Sequence, residues 1–123
     1  MERGNVDAAA EGHHGAAALQ DLAHGAAQAG AHPVICTIGD STFIHSGLPA
    51  LINAVYNKAR FVVMVLDNAT TAMTGGQPVP HMGVAAGGEA TRAVAIEPLV
   101  RASGVDFLET CDPYDNERFE QLL

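Results

Sequence analysis

The sequence predicts an α/β domain of three layers, α/β/α, built around a mostly parallel sheet. Three observations lead there. Residues 34–38 (VICTI) and 61–66 (FVVMVL) are short, nearly continuous apolar runs with β-branched residues, the pattern of strands buried on both faces. Between them apolar residues recur at helical spacing, so strand, helix and strand form a βαβ unit, which is right-handed by rule. The length of 123 residues provides for one hydrophobic core and not for two.

The elements follow in order. Residues 1–15 are small, polar and without period, and read as a poorly ordered tail. Its His13-His14 pair lacks the further ligands at fixed spacing that a metal site needs. Residues 16–29 read as a helix, with Leu19, Leu22, Ala23 and Ala26 at i, i+3, i+4 and i+7 on one face. Gly30 suits the left-handed position that closes such a helix, and Pro33 bars its continuation.

The strand at 34–38 runs into Gly39-Asp40-Ser41. Leu48, Leu51, Ile52, Val55 and Tyr56 then mark a helix over residues 46–58, with Lys58 and Arg60 at the end where cations are favourable. The second strand, 61–66, ends in Asp67-Asn68. Residues 67–95 show little period, and TTAMTGGQPVPHMG is rich in turn formers; a loop of this length in a compact domain commonly carries function. Residues 97–102 read as a short helix closed by Gly104, and 105–108 as a third strand. Asp112-Pro113-Tyr114-Asp115 is a turn after which Asp115 or Asn116 caps a last helix reaching Leu123. The organisation is therefore a tail, 1–15, and one domain, 16–123.

Charge removes several function classes. Six basic against 14 acidic residues give a net charge of −8, the wrong sign for displacing counterions from nucleic acid or for a polybasic membrane contact. The longest apolar run, 61–66, is far short of the roughly 20 residues of a membrane span, and the sequence opens without a charged-then-apolar signal segment, so a cytoplasmic location is expected. Cys36 and Cys111 stand 75 positions apart without zinc or cluster spacing, and read as two reduced, buried thiols.

The chemistry gathers at the carboxyl ends of the first two strands, where open parallel sheets bind ligands. Asp40 offers a carboxylate and Asn68 an amide oxygen, hard ligands that suit magnesium. The following helix turns its unpaired N–H groups toward the same edge, which favours phosphate. From the residues alone a second reading stays open: a strand-ending turn whose Asp40 merely caps the helix. His45 likewise reads either as a proton-transfer group facing a cofactor or as a histidine hydrogen-bonded at the helix start. His81 lies in the long loop with a weaker claim to catalysis, and His24 reads as a packing or surface residue.

GDSTFIHSGLPALINAVYN followed by VVMVLDNATTAMTGGQP resembles the thiamine-diphosphate-binding domain of 2-oxoacid:ferredoxin oxidoreductases, and within that family the alpha subunits of the indolepyruvate branch. The broad motif of thiamine-diphosphate enzymes is Gly-Asp-Gly, a spacer, then Asn-Asn. Here 27 residues separate Asp40 from Asn68, with Ser41 in place of the third glycine and Asp67 in place of the first asparagine, the variant of that branch. Met73-Thr74-Gly75-Gly76-Gln77 points to the ferredoxin-linked enzymes, and DPYD at 112–115 is similar to a further family segment. The resemblance covers about residues 22–123 and implies the thiamine-diphosphate-binding fold.

Carried over residue by residue, the resemblance implies thiamine diphosphate and magnesium as cofactors. Asp40, Asn68 and the backbone carbonyl of Thr70 would hold the metal. Gly39, Asp40, Ser41, Thr42 and Asn68 would line the diphosphate, and Thr74, Gly75, Gly76 and Gln77 would lie beside or over it. His45 is the one, weak, candidate for a catalytic side chain.

The departures matter equally. AAAEGHHGAAALQD stands where the family has a glycine-rich strand and turn, and no residue matches the glutamate that activates the aminopyrimidine ring. The segment with cluster cysteines has no counterpart either. The chain therefore reads as truncated at its N-terminal side, partnered by a chain or domain that supplies the pyrimidine-binding half-site, with ferredoxin a partner only of the intact enzyme. The implied reaction is oxidative decarboxylation of aryl 2-oxoacids. The rival expectation is a truncated α/β domain without catalysis that binds a partner or is vestigial.

Overall fold

The computed structural model describes residues 15–122. The His13-His14 pair and all but the last residue of the expected tail lie outside the described residues. The chain forms α1 (Gly15–Gln28), β1 (Ile35–Gly39), a helical stretch made of α2 (Asp40–Thr42), a π-helical turn (Phe43–Gly47) and α3 (Leu48–Tyr56), then β2 (Val62–Leu66), α4 (Ile96–Ala102) and α5 (Asn116–Leu122). β1 and β2 are parallel neighbours, Ile35 opposite Val62 and Gly39 opposite Leu66. This is the expected α/β class with a parallel sheet. Among the described residues no helix is long and apolar enough to cross a membrane.

The first helix ends as its sequence requires. Ala31 N–H donates to the Ala26 carbonyl at 3.0 Å and Gly30 N–H to that of Ala27 at 3.1 Å, with Gly30 at φ +88°, a left-handed closure that satisfies the orphan carbonyls. Its buried face is only in part the one expected: Ala23 is buried and Ala26 half-buried, while the side chain of Leu19 lies outside the described residues. Gln20, Ala23 and Ala27 are buried, whereas Leu22 is 51% exposed. The cause is the closeness of α1 to the π-helical turn: a Cβ on Gly47 would stand 3.0 Å from Gln20 Oε1, Ile38 Cδ1 and Phe43 Cδ2. At that approach alanine and a flat amide fit and leucine does not. His24 stitches the layer, its Nδ1 lying 3.3 Å from Asn53 Nδ2 on α3.

The second helical stretch starts at Asp40, six residues before the expected Ser46. Gly39, extended at φ −73° and ψ 153°, is the N-cap. Ser46 lies inside the helix, its hydroxyl donating to the Thr42 carbonyl at 3.1 Å rather than capping. At the other end Ala59 N–H donates to the Ala54 carbonyl and Lys58 N–H to that of Val55, both at 3.0 Å. Lys58 therefore occupies the left-handed closing position, at φ +54°, which glycine fills without strain. Lys58→Gly is expected to stabilise the protein by about 0.5–1 kcal/mol, the left-handed penalty exceeding the extra freedom given to the unfolded chain; equilibrium urea unfolding measures it, and a loss of stability would refute the strain.

Ile38, Phe43, Leu51 and Val100 form the core, with Val63, Val65, Ile96, Val105 and Leu108 packed against it. α4 closes with Gly104 at φ +91°. Asp115 caps α5 through Arg118 N–H at 3.1 Å. The third strand expected at 105–108 does not form; among the described residues the sheet has two strands. Val105 is the only β-branched residue of that segment, Asp106 interrupts it, and Phe107 is 72% exposed, so little burial offsets the cost of extending it. An open apolar groove of about 1000 Å³ separates it from β2. Cys36 is buried and Cys111, expected to be buried, is only half-buried; both are free thiols, and burial pushes that of Cys36 up.

Candidate functional site

The register fixes the site. Gly39 and Leu66 are opposite each other at the last rung of the ladder, so the next residues, Asp40 and Asp67, emerge side by side at the carboxyl edge. Asp40 opens α2 yet is only 2% exposed. Its Oδ1 accepts the N–H of Ser41 at 2.7 Å. Its Oδ2 is buried and accepts no hydrogen bond. A carboxylate oxygen in that state costs free energy unless a cation or donor is supplied.

The long loop brings the third member. Val79 is 1% exposed and anchors a 3-10 turn, Pro80–Met82, which is also held by Val94 N–H donating to the Pro80 carbonyl at 3.0 Å. The turn aims His81 between the carboxylates, its Nε2 3.3 Å from Asp40 Oδ2 and 3.0 Å from Asp67 Oδ1. The ligating atoms of Asp40, Asp67 and His81 all lie within 4.8 Å of one another. Burial raises the Asp67 carboxyl, but the Ala69 N–H, the His81 imidazole and the neighbouring Asp40 side chain together outweigh it and hold the group below the ordinary carboxylate range.

The remaining residues singled out in the sequence line the same edge. Asn68 is exposed, and its Oδ1 accepts Thr70 N–H at 3.2 Å, which leaves that oxygen a second lone pair. Ala69, between them, is left-handed at φ +56°. The hydroxyl of Thr71 donates to Ser41 Oγ at 2.9 Å, tying the loop's base to the start of α2. Thr71 also pairs with Gln77, and Gly75 and Gly76, at φ +116° and +76°, turn the chain between them. Gln77 Nε2 donates to the Thr74 carbonyl at 2.6 Å, so Thr74–Gln77 is a closed turn rather than a loose strap. Thr42 is half-buried in α2; His45 is exposed on the π-helical turn and outside the Asp40 cluster.

Sequence reasoning gave no ligand role to Asp67 or His81. The signal for Asp67 was available, since equal strand endings put it level with Asp40. For His81 the only hint was its place in Pro78-Val79-Pro80-His81, where two prolines stiffen the approach.

With this geometry described, the chain matches over residues 4–123 the family described as thiamine pyrophosphate enzyme, C-terminal TPP binding domain. It is 56% identical over 90 residues to the indolepyruvate oxidoreductase subunit IorA of Archaeoglobus fulgidus, 73% of this chain and 14% of that protein. To the subunit of the same name from Methanothermobacter thermautotrophicus it is 53% identical, over 73% of this chain and 15% of the relative. The Pyrococcus horikoshii subunit is 49% identical, over 72% and 14%. The chain thus spans 12–15% of the length of the curated relatives it matches. No solved structure matches it significantly.

Proposed function

The chain belongs to the thiamine pyrophosphate enzyme family as a C-terminal cofactor-binding domain, and from that premise we propose that it binds thiamine diphosphate (thiamine pyrophosphate) with magnesium for an indolepyruvate (2-oxoacid):ferredoxin oxidoreductase. One observation carries the reading: the buried Oδ2 of Asp40, without a hydrogen bond and faced by the His81 imidazole at 3.3 Å, at the carboxyl edge of two adjacent parallel strands. That oxygen fits a hard divalent cation. Asp40, the Asn68 amide oxygen and the Thr70 carbonyl are the protein ligands, a small oxygen set of the kind magnesium completes with phosphate oxygens. The N-terminus at Gly39 and Asp40 heads a helical stretch that runs to Tyr56, so the backbone near Ser41 and Thr42 would face the diphosphate with the favourable end of the dipole, the Ser41 N–H being already taken by Asp40 Oδ1. Gly75 and Gly76 permit close approach of the Thr74–Gln77 turn to the cofactor.

When bound, thiamine diphosphate supplies the nucleophilic carbon and the electron sink for decarboxylation. The chain's own residues bind and orient it. The glutamate that activates the aminopyrimidine comes from a partner chain or domain carrying the pyrimidine-binding half-site; ferredoxin is a partner of the complete cytoplasmic enzyme. Calorimetric titration of thiamine diphosphate into the chain, with and without magnesium, is the test: saturable binding that needs the metal supports the reading, and its absence favours a non-catalytic domain.

The chain by itself is expected not to oxidise arylpyruvates. Two cysteines cannot supply the four thiolates of an iron–sulfur cluster, so electrons have no wired route outward. Viologen reduction with indolepyruvate, thiamine diphosphate, magnesium and coenzyme A should remain at the level without protein; turnover above it would show that the other domains are dispensable.

A further inference from the structure

We propose that Asp40, Asp67 and His81 form a transition-metal site, with the His81 Nε2 as a nitrogen ligand, which takes a borderline divalent ion such as cobalt or zinc when thiamine diphosphate is not bound. It shares Asp40 with the magnesium set proposed above but stands whether or not the cofactor binds.

Three observations on separate elements carry it. First, the three donor atoms already converge within 4.8 Å of one another. Second, Asp40 is 2% exposed and its Oδ2, aimed at the other two, has no hydrogen-bond partner. Third, the imidazole is held in place by the anchored Pro80–Met82 turn rather than hanging from a free loop.

The distances suit such an ion. Zinc takes nitrogen and carboxylate oxygen at about 2.0–2.2 Å, so neighbouring ligands of a tetrahedral or octahedral shell stand roughly 3.0–3.5 Å apart. His81 Nε2 lies 3.0 Å from Asp67 Oδ1 and 3.3 Å from Asp40 Oδ2. Asp67, with its side chain 53% exposed, has the freedom to close the remaining edge.

The donor chemistry separates this set from the magnesium set. Magnesium keeps to oxygen, whereas imidazole suits zinc, cobalt, nickel and iron, which also bind more tightly to a given nitrogen–oxygen site than manganese does. Two carboxylates balance the ion's charge, and the neutral imidazole adds the directional ligand that a carboxylate cannot mimic. The ligands come from the ends of both strands and from the long loop, so a bound ion fastens that loop onto the sheet edge.

The test is titration of the full chain with cobalt, without thiamine diphosphate, at a pH where imidazole is neutral, followed by visible ligand-field absorption. One cobalt per chain is expected. His81→Gln should weaken cobalt by about tenfold or more while magnesium affinity barely moves, so the preference for cobalt over magnesium collapses. Asp67→Asn should lower cobalt affinity in the same direction. In the unmutated chain, bound cobalt should give one strongly shifted imidazole N–H proton resonance, a readout independent of how the variants fold. Cobalt binding unchanged in His81→Gln, or lost only in the double variant His13→Gln/His14→Gln, overturns the proposal, as does bound cobalt without a shifted imidazole proton. Failure of the thiamine diphosphate titration leaves these readouts untouched.

Discussion

Asp40→Asn is expected to weaken magnesium-dependent binding of thiamine diphosphate by about a hundredfold or more, with the fold intact. Loss of groups that only support a metal ligand already costs about 10- to 100-fold, and Asp40 is proposed as a ligand itself. The substitution is isosteric, so the amide keeps an oxygen for the Ser41 N–H that Oδ1 now accepts at 2.7 Å. What disappears is the negative charge at Oδ2, the oxygen without a hydrogen-bond partner. Asp67 does not make up the loss without rearrangement, since its Oδ1 already accepts Ala69 N–H at 3.0 Å and faces His81 Nε2 at 3.0 Å. Stability without ligand should change by no more than about 1 kcal/mol, because the amide keeps the side chain's shape and its hydrogen bond to the Ser41 N–H. Calorimetric titration and urea unfolding of the same preparation separate the two effects. A variant that binds the cofactor as tightly as the parent would remove Asp40 from the metal site.

The parts of this arrangement that depend on local pattern were legible in the sequence. Two apolar β-branched runs gave β1 and β2 to within a residue. Gly30 marked the end of α1, and Asp115 the start of α5. The motif spacing between Asp40 and Asn68 pointed to the carboxyl edge of the sheet, where Asp40, Asp67 and His81 converge. What escaped depends on packing between elements that pattern does not encode. The helix after β1 starts at Asp40, because Gly39 at the strand's end is already an N-cap and Ser46 turns inward to the Thr42 carbonyl. The buried face of α1 turns away from Leu22 because Gly47, where a Cβ would stand 3.0 Å from Gln20 Oε1, lets the π-helical turn pack close to α1, an approach between residues 27 positions apart. His81 reaches Asp40 across 41 positions, and periodicity says nothing about where a loop's side chain ends. Residues 105–108 have a strand's composition at one end only, and the register that would pair them with β2 is a tertiary matter.

Phe43→Ala is expected to have the largest effect on stability, a loss of about 3–5 kcal/mol. Phe43 is 1% exposed, the largest side chain with so little contact to water among the described residues, and it packs with Ile38, Leu51 and Val100 in the core. Removing the ring takes away its transfer free energy and leaves a void that the neighbours fill only in part, because the same ring lies against the Gly47 approach that holds α1 close. The described sheet has two strands and an open groove along β2, so there is little other core to absorb the loss. Domains of this size commonly have about 5–15 kcal/mol in all, and the variant should stand near the edge of folding. The effect should reach the site as well. Phe43 lies three residues after Asp40 in the same helical stretch, so its burial pins the strand-to-helix junction on which the carboxylate depends. Phe43→Leu keeps most of the apolar volume and should recover more than half of the stability, and with it cofactor binding. Urea unfolding of the two variants beside the parent decides the matter: a Phe43→Ala protein within about 1 kcal/mol of the parent would mean that something other than this ring holds Asp40 at the sheet edge.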